Sequence, residues 1–315
     1  MSDRGVTWGL SATILAPAQD ILAFAAYHLD AGAHRLYLYL DAPCPEAMAH
    51  LQAHPKVRVT LCDAAHWQKV NGGRPAKHQV RQTVNATHAY NRRAEVDWLI
   101  HMDVDEFLVS DRPVAAHLAG LPADVPILRV RPMEQLSGDG TVFKGFIPAD
   151  GQRAAIVRTL YPRFGAHLKG GFLSHLAGKV FTRTGLDDVT VKIHNAFQDG
   201  VELKGADVVA GLDLAHCHAK SWDDWHAAYR YRLEKGAYRA ELGPNKPRNQ
   251  GGMSLHEVFA AIEAKDGTAG LRAFFDEVCA DTPSLREKLE AKGLLRRINL
   301  DLNATLSTHF PNWRG

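Results

Sequence analysis

The sequence predicts an α/β protein with a mostly parallel sheet flanked by helices, followed by a C-terminal helical region. Three observations support this fold class. Apolar strand-like runs alternate with helical segments of about ten or more residues over the first hundred positions. Three carboxylates within four positions directly follow one of these runs, and an amphipathic helical pattern begins at Ser221. Crossovers between parallel strands are expected to be right-handed.

Four strands are predicted in the first 110 residues, at 12–17, 34–41, 56–63 and 97–109. The segments between them have the composition of helices. The first helix has Asp20 as its expected N-cap and Gly32 as its stop. A short helix follows Pro45, and a longer one follows residue 75. This order of elements is typical of βαβ units.

The second half of the chain is less regular before it becomes helical. Further strands are predicted at 125–134, 178–183, 189–197 and 212–219. Residues 136–178 are rich in glycine and aromatic residues, as in many substrate or lid regions. The later helices carry N-terminal signals, namely Ser221, the Ser254–Glu257 capping box and Thr282 before Pro283. We therefore expect an α/β domain over 10–220 and a helical region over 221–315 packed on it.

Composition limits the class of partner and the compartment. The 315 residues carry a formal net charge of +2, so bulk charge indicates no nucleic-acid partner. Four cysteines without a CxxC pair favour a reducing compartment. No signal peptide and no apolar run of about 18 residues is visible, so no transmembrane segment is expected. The prediction is a cytoplasmic protein, with peripheral attachment to the inner face of the membrane left open.

The acidic stretch at the end of the 97–109 strand is the main functional signal. Asp103 and Asp105 are two positions apart, so in an extended chain both point to one side. A hard divalent cation, Mg²⁺ or Mn²⁺, relieves the repulsion between such carboxylates and can bind phosphates. Glu106 points the other way and is expected to be structural. Loop acids facing solvent are the plain alternative, but apolar residues flank the stretch on both sides.

The segment "DWLIHMDVDEFLV" resembles the DxD-containing strand of GT-A glycosyltransferases, in particular the family 2-like group. The opening "QDILAFAAYHLDAGAHRLYLYLD" is similar to the opening of that group, except that "PAQDI" replaces a common Asn-Glu. The blocks "GKVFTR" and "LAHCHAKSWDDW" resemble later parts of it. The similarity extends over residues 12–110 and, more loosely, 175–236.

This resemblance implies a GT-A, Rossmann-like fold and a glycosyltransferase that takes its sugar from a nucleoside-diphosphate sugar, with a UDP-sugar expected. It implies a glycan or lipid-linked acceptor and a role in polysaccharide biosynthesis. The implied metal ligands for Mn²⁺ or Mg²⁺ are Asp103 and Asp105, with His194 as the third. His218 and, after it, His216 are the alternatives to His194. Asp103 and Asp41 are also implied to contact the nucleoside of the donor.

Other candidates come from the residues alone. Lys77, Arg81, Asn85 and His88 form a polar stripe on the helix after residue 75. Lys77 or Arg81 could reach the donor diphosphate, and Lys179 and Lys220 are further phosphate candidates. Two acids, Asp188 and Glu134, are candidates for the base that an inverting transferase needs. A retaining mechanism, which needs no such base, stays open.

Two other functions fit parts of the pattern. A metal-dependent nucleotidyltransferase or phosphodiesterase would share the DxD chemistry, and Gly72, Gly73 and Arg74 could cradle a phosphate. No GxxxxGK loop or HD signature accompanies them. The third interpretation is a non-catalytic sugar-binding scaffold. The presence of both motif acids, Asp103 and Asp105, argues against it.

Overall fold

The computed structural model describes residues 5–92, 95–207, 209–244 and 247–315. The first elements are β1 (Trp8–Ile14), α1 (Ala18–Asp30), β2 (Arg35–Leu40), α2 (Pro45–Ala53), β3 (Val57–Leu61), α3 (Ala64–Asn71), α4 (His78–Tyr90), β4 (Trp98–His101), β5 (Glu106–Ser110), α5 (Val114–Ala119) and β6 (Ile127–Gln135). They continue with β7 (Val142–Lys144), α6 (Arg153–Leu160), β8 (Lys179–Arg183), β9 (Val189–Val191), β10 (Ala196–Gln198), β11 (Val201–Glu202), β12 (Ala206–Asp207), β13 (Leu212–His216), α7 (Trp222–Glu234), α8 (Leu255–Val278), α9 (Pro283–Ala291), β14 (Leu295–Arg297) and α10 (Leu302–His309).

The described residues form two compact units. The first comprises the described chain up to Arg131, Ala177–Leu214 and Leu300–Gly315, and the second comprises Pro132–Leu176 and Ala215–Asn299. This division differs from the predicted boundary after residue 220. The chain passes from one unit to the other within β6 and again after Leu214, and the last helix, α10, packs on α1 in the first unit.

The first unit is built on a sheet with the strand order β6-β8-β4-β1-β2-β3. Strand β1 pairs in parallel with β2 and β4, and β2 pairs in parallel with β3. Strand β8 runs antiparallel to both β4 and β6. The predicted mixed α/β fold, with a large sheet that is mostly parallel in its centre and flanked by helices, is confirmed.

Burial explains why these strands lie at the centre. All seven residues of β1 are buried, as parallel strands covered on both faces require. One face of β2 and β4 contributes Tyr37, Tyr39 and Leu99 to a cluster with the inner side of α4. Gly9 allows β1 and β2 to approach, because a Cβ atom there would lie 2.5 Å from the carbonyl oxygen of Arg35.

Several local predictions for the first unit differ from the structure. Helix α1 begins after Pro17, which leaves Asp20 in its first turn instead of at the N-cap. The predicted strand at 97–109 is two strands, β4 and β5, with a turn at 104–105 between them. Helix α3 was not predicted, although Asp63 caps it by accepting a hydrogen bond from the main-chain N–H of His66 at 2.8 Å.

The second unit combines a small antiparallel sheet with helices. Strand β7 pairs with the end of β6 on one side and with β14 on the other. Residues 136–178, predicted to be loop-rich, include β7 and α6, because α6 buries Val157 and Leu160 in an aromatic core. Trp225, Phe259 and Phe274 are fully buried in that core.

The predicted N-caps of the later helices are confirmed. Ser221 accepts a hydrogen bond from Asp224 N at 3.1 Å, and Thr282 accepts one from Leu285 N at 3.2 Å. Ser254 and Glu257 form a capping box at the start of α8. Helix α8 is interrupted at Gly267, whose positive φ of 58° is outside the helical range. None of the helices among the described residues is long and apolar enough to cross a lipid bilayer.

Candidate functional site

The carboxyl ends of the parallel strands form one edge of the sheet in the first unit. The chain keeps its parallel pairing just beyond these ends, since Asp41 N donates to Ile14 O at 2.8 Å and Met102 N donates to Ser11 O at 3.0 Å. Asp41 follows β2, and Asp103 follows β4 by two residues. Ligands of doubly wound α/β proteins bind at this edge. The edge is therefore the candidate site.

Asp41 is a fully buried carboxylate held by two arginines. Its Oδ1 accepts a hydrogen bond from Arg74 Nη2 at 2.9 Å, and its Oδ2 accepts one from Arg81 Nε at 2.9 Å. Arg81 also donates to the carbonyl oxygens of Pro75 and Ala76, at 3.0 Å and 2.9 Å. Two guanidinium groups on one carboxylate give this group of three side chains a net positive charge. The Arg74 side chain is 49% exposed, so it can also meet an anion from solvent.

The acidic stretch is a turn, which we call the acidic turn (residues 103–106). Glu106 N donates to Asp103 O at 3.1 Å, and Asp103 N donates to the Glu106 carboxylate at 2.8 Å. The extended geometry from which we predicted Asp103 and Asp105 on one side is therefore absent. Asp105 is half-buried at the tip of the turn, and Glu106 is fully buried. Glu106 does not point away from Asp103 as predicted, because both carboxylates contact the ammonium of Lys179.

Lys179 lies against the acidic turn. Its fully buried ammonium is 2.6 Å from Asp103 Oδ2 and 3.2 Å from Glu106 Oε2. The other oxygen of Asp103 accepts a hydrogen bond from Gln82 Nε2 on α4. Burial alone would lower the pKa of Lys179, but the two carboxylates raise it above its usual value. Lys179 is therefore a permanent cation at this site.

The position of Lys179 depends on the residue before it. Gly178 has a φ of 67°, and a Cβ atom on it would lie 2.0 Å from Val130 O. Only glycine fits this left-handed conformation and close approach. Lys179 is the first residue of β8, between β4 and β6, so its side chain starts at the carboxyl edge of β4. The "GK" pair before an apolar run was the signal in the sequence for this arrangement.

A buried histidine, His101, ends β4 next to this charged group. Neither ring nitrogen has a hydrogen-bond partner among the described residues, and the Oγ of Ser11, its register partner on β1, also has none. Burial, and then the positive charge of Lys179, lowers the pKa of His101 to about 4. His101 is therefore neutral near pH 7.

The predicted polar stripe on α4 has two roles. Lys77 is exposed at the N-cap of α4, and Arg81 binds Asp41 as described. Asn85 is buried and donates to Thr13 Oγ1 at 3.0 Å, and His88 Nδ1 lies 2.8 Å from the Tyr39 hydroxyl. The first turn of α4 thus faces the candidate site, whereas the rest of the stripe holds α4 on the sheet.

His194 does not complete a ligand set with the motif acids. Its Nδ1 lies 2.9 Å from Gly178 O, in the loop between β9 and β10. The ligand atoms of Asp103, Asp105 and His194 do not all come within 4.8 Å of one another. Both oxygens of Asp103 already accept hydrogen bonds from protein donors. As arranged, these three residues do not fit a divalent ion.

The two candidate bases lie in different surroundings. Asp188 is exposed in the turn after β8, and β8 runs antiparallel to β4, so Asp188 lies at the opposite edge of the sheet. Glu134 is in the second unit, fully buried, 2.7 Å from Lys144 and bonded to the main-chain N–H groups of Leu173 and Ser174. Burial would raise the pKa of Glu134, but Lys144 holds it well below its usual range. Glu134 is therefore a structural ion.

The later histidines also lie in the second unit. His218 Nε2 is 2.8 Å from the hydroxyl of Tyr238, which also accepts a hydrogen bond from Trp225 Nε1 at 3.1 Å. The ring of His216 is 5.3 Å from that of His218 and 5.1 Å from that of His175. His218 is buried, and its role as the alternative metal ligand stays a prediction. Lys220, the other phosphate candidate, is exposed.

Fold and site together define an α/β protein with a charged site at the carboxyl edge of a mostly parallel sheet. No family model matches the chain, and no curated protein matches it. Similar solved structures include HddC from Yersinia pseudotuberculosis, with 10% identity, a TM-score of 0.38 and coverage of 72% of this chain and 99% of that chain.

Two further structures are similar at the same low level. One is the apo structure of the bifunctional glycosyltransferase WbbM, with 14% identity and a TM-score of 0.30, covering 58% of this chain and 32% of that chain. The other is a mycobacterial protein, with 12% identity and a TM-score of 0.35, covering 79% of this chain and 83% of that chain. At these scores the similarities carry no argument about activity.

Proposed function

We propose that this protein is a glycosyltransferase that moves a sugar from a nucleoside-diphosphate sugar, with a UDP-sugar expected, to a glycan or lipid-linked acceptor. The observation that carries the proposal is that Asp41 with its two arginines follows β2 and the acidic turn with Lys179 follows β4, two parallel strands that both pair with β1. The resemblance of "DWLIHMDVDEFLV" to the DxD strand of GT-A enzymes supports the proposal. A GT-A fold of the family 2 type is part of it.

The chemistry assigned to the chain is binding and charge neutralisation. Arg74, Arg81 and Lys77 offer positive charge near the strand ends, which suits a diphosphate. Asp41, fixed by the two guanidinium groups, keeps them oriented. Such preorganised cations stabilise the charge that develops on a leaving nucleoside diphosphate without rearranging during the reaction.

A divalent Mn²⁺ or Mg²⁺ ion is part of the function that the resemblance implies, and would add positive charge at the leaving diphosphate. The predicted set of Asp103, Asp105 and His194 does not fit such an ion as arranged. Asp105, half-buried at the tip of the acidic turn, is the acid of this set that we retain for donor binding. We assign no base, because Asp188 lies at the opposite edge of the sheet and Glu134 is a buried ion paired with Lys144.

The experiment is a panel of nucleoside-diphosphate sugars with Mn²⁺ or Mg²⁺, with and without acceptors, read by release of the nucleoside diphosphate. Asp105→Asn should lower release by about a hundredfold or more, with a Tm near that of the parent. The matched control is Asp188→Asn, an exposed acid at the opposite edge, which should release at the parent rate. Full activity of Asp105→Asn, or no release from any donor, would contradict the proposal.

A nucleotidyltransferase remains the second candidate because of one observation. Gly72 and Gly73 both have positive φ and place Arg74 on Asp41, so this loop does reach the candidate site, where it could hold a triphosphate. Release of pyrophosphate from a nucleoside triphosphate, with no release from sugar donors, would favour this function. A folded protein that binds none of these ligands would favour a non-catalytic scaffold.

A further inference from the structure

We propose that Lys179 is a fixed counter-ion of the acidic turn, and that Asp103 is a positioning residue held by Lys179 instead of a ligand of a divalent metal ion. The inference deepens the proposed function, on which it rests for the use of the site. It concerns cation binding by the protein alone, so it can be tested without a sugar donor.

The first step is that both oxygens of the Asp103 carboxylate already have partners within the protein. One oxygen lies 2.6 Å from the Lys179 ammonium, and the other accepts a hydrogen bond from Gln82, which is itself buried. A Mn²⁺ or Mg²⁺ ion would have to bind about 2 Å from one of these oxygens. That ion would then lie within a few ångströms of a buried ammonium, and like charges repel strongly where water is excluded.

The second step is that Lys179 cannot easily withdraw. Its side chain is fully buried and also contacts Glu106, which is fully buried too. Its backbone is held in β8 between two strands, after a glycine that admits no other residue without a clash. A buried charge without a partner is costly, so the ammonium has no better position than the one beside the carboxylates.

The third step predicts whether loss of Lys179 raises or lowers the affinity for Mn²⁺. Asp103 and Glu106 carry two negative charges, and Lys179 supplies one positive charge between them. Without the ammonium, two close carboxylates would face each other, and this is the arrangement that hard divalent cations bind. Removing Lys179 should therefore increase affinity for Mn²⁺, whereas general damage to the site would decrease it.

The experiment measures Mn²⁺ binding by calorimetry in the parent, Asp103→Asn, Lys179→Met and the double variant Lys179→Met/Asp103→Asn. Asp103→Asn should leave the Kd for Mn²⁺ within about twofold of the parent, or leave the parent's lack of binding unchanged. Lys179→Met should bind Mn²⁺ about tenfold or more tightly than the parent, on the scale of other metal-site substitutions. The double variant should lose that gain.

Lys144→Met is the matched control. Lys144 is equally buried and pairs at 2.7 Å with Glu134, but this single carboxylate also accepts main-chain N–H groups. Loss of the Lys144 ammonium should therefore not increase the affinity for Mn²⁺. In Lys179→Met, by contrast, added Mn²⁺ should raise the Tm.

The results that would overturn this inference differ from those that would contradict the proposed function. If Asp103→Asn weakens Mn²⁺ binding about tenfold while Lys179 is present, Asp103 is a metal ligand and the inference is wrong. This comparison decides the question even if Lys179→Met does not fold. Absence of nucleotide release with the expected Mn²⁺ pattern would contradict only the glycosyltransferase proposal.

Discussion

Single side chains in the interior of each unit show how charge is made compatible with burial. Lys179 is balanced by Asp103 and Glu106, and Lys144 by Glu134. Asp41 is balanced by two arginines. Buried ions persist in proteins when a partner and further hydrogen bonds compensate the loss of hydration. Histidines buried without such a partner lose their charge instead.

His28 provides a test of this at the residue scale. It is fully buried in the first unit, with Nδ1 2.9 Å from Phe24 O and its ring stacked on Phe107. Burial lowers the pKa of His28 to about 4, despite the opposing effect of the Phe24 carbonyl. The unfolded chain therefore binds more protons than the folded one between about pH 6.5 and pH 4.

Folding stability should fall as the pH drops through this window and should be unaffected by His28 above it. The contribution of His28 is at most about 3 kcal/mol between the two ends of the window. His28→Leu should remove this part of the slope when the free energy of unfolding is measured by urea titration from pH 7 to pH 4. His226→Leu, at an exposed position, should keep the parent slope. An equal slope in the parent and His28→Leu would refute the prediction.

At the scale of elements, strand starts and turns decide where the functional side chains lie. β4 and β5 do not form one long strand because the acidic turn closes through Glu106 and Asp103. β8 begins at Lys179 only because Gly178 can adopt a left-handed conformation against Val130. These features place the Lys179 ammonium within hydrogen-bond distance of the carboxylates of Asp103 and Glu106.

The prediction at this scale concerns Gly178. Gly178→Ala adds a backbone clash at 2.0 Å to the cost of a left-handed conformation, whereas Gly185→Ala, with φ 84° and nothing within 4 Å, adds only the conformational cost. Gly185→Ala should lower the free energy of unfolding by about 1–2 kcal/mol. Gly178→Ala should lower it by more and should reduce nucleotide release. Equal losses of stability would show that β8 can shift without penalty.

At the scale of the whole molecule, the order of the chain and the order in space differ. The first unit takes its residues from three segments and the second from two. Helix α10 comes last in the sequence but packs on α1, near the beginning. Phe310, which follows α10, is buried in the first unit, and Phe274 on α8 is buried in the aromatic core of the second.

Truncation of each aromatic core residue should loosen its own unit first. Phe310→Ala should speed amide hydrogen exchange in α1 and α10, and Phe274→Ala should speed it in α7 and α8. Each substitution removes a buried ring and should cost about 3–5 kcal/mol. The measurement is native-state hydrogen exchange by mass spectrometry, in which each variant is the control for the other. A uniform increase over the whole chain in both variants would contradict two separate units.

The sequence by itself determined the elements whose signals are local. Burial on both faces shows in the apolar runs of β1, β2 and β4, and the helix caps at Ser221, Ser254 and Thr282 need only a few adjacent residues. The resemblance and the acid spacing also directed attention to the acidic turn after β4 and to Asp41 after β2, and their role in donor binding stays a prediction.

Only the tertiary structure decided the partners of these acids. Lys179 is 76 residues from Asp103, and Arg74 is 33 residues from Asp41, so neither pairing has a local signal. The geometry of the acidic turn was also misjudged from periodicity, because a hydrogen-bonded turn replaces the extended chain. Glu134 and Asp188 resemble candidate bases by composition alone, but β8 carries Asp188 to the opposite edge of the sheet, and Glu134 is a buried ion paired with Lys144. Charge compensation here depends on contacts between segments that are distant in the sequence. Only the folded chain brings these segments together, so local sequence patterns do not show it.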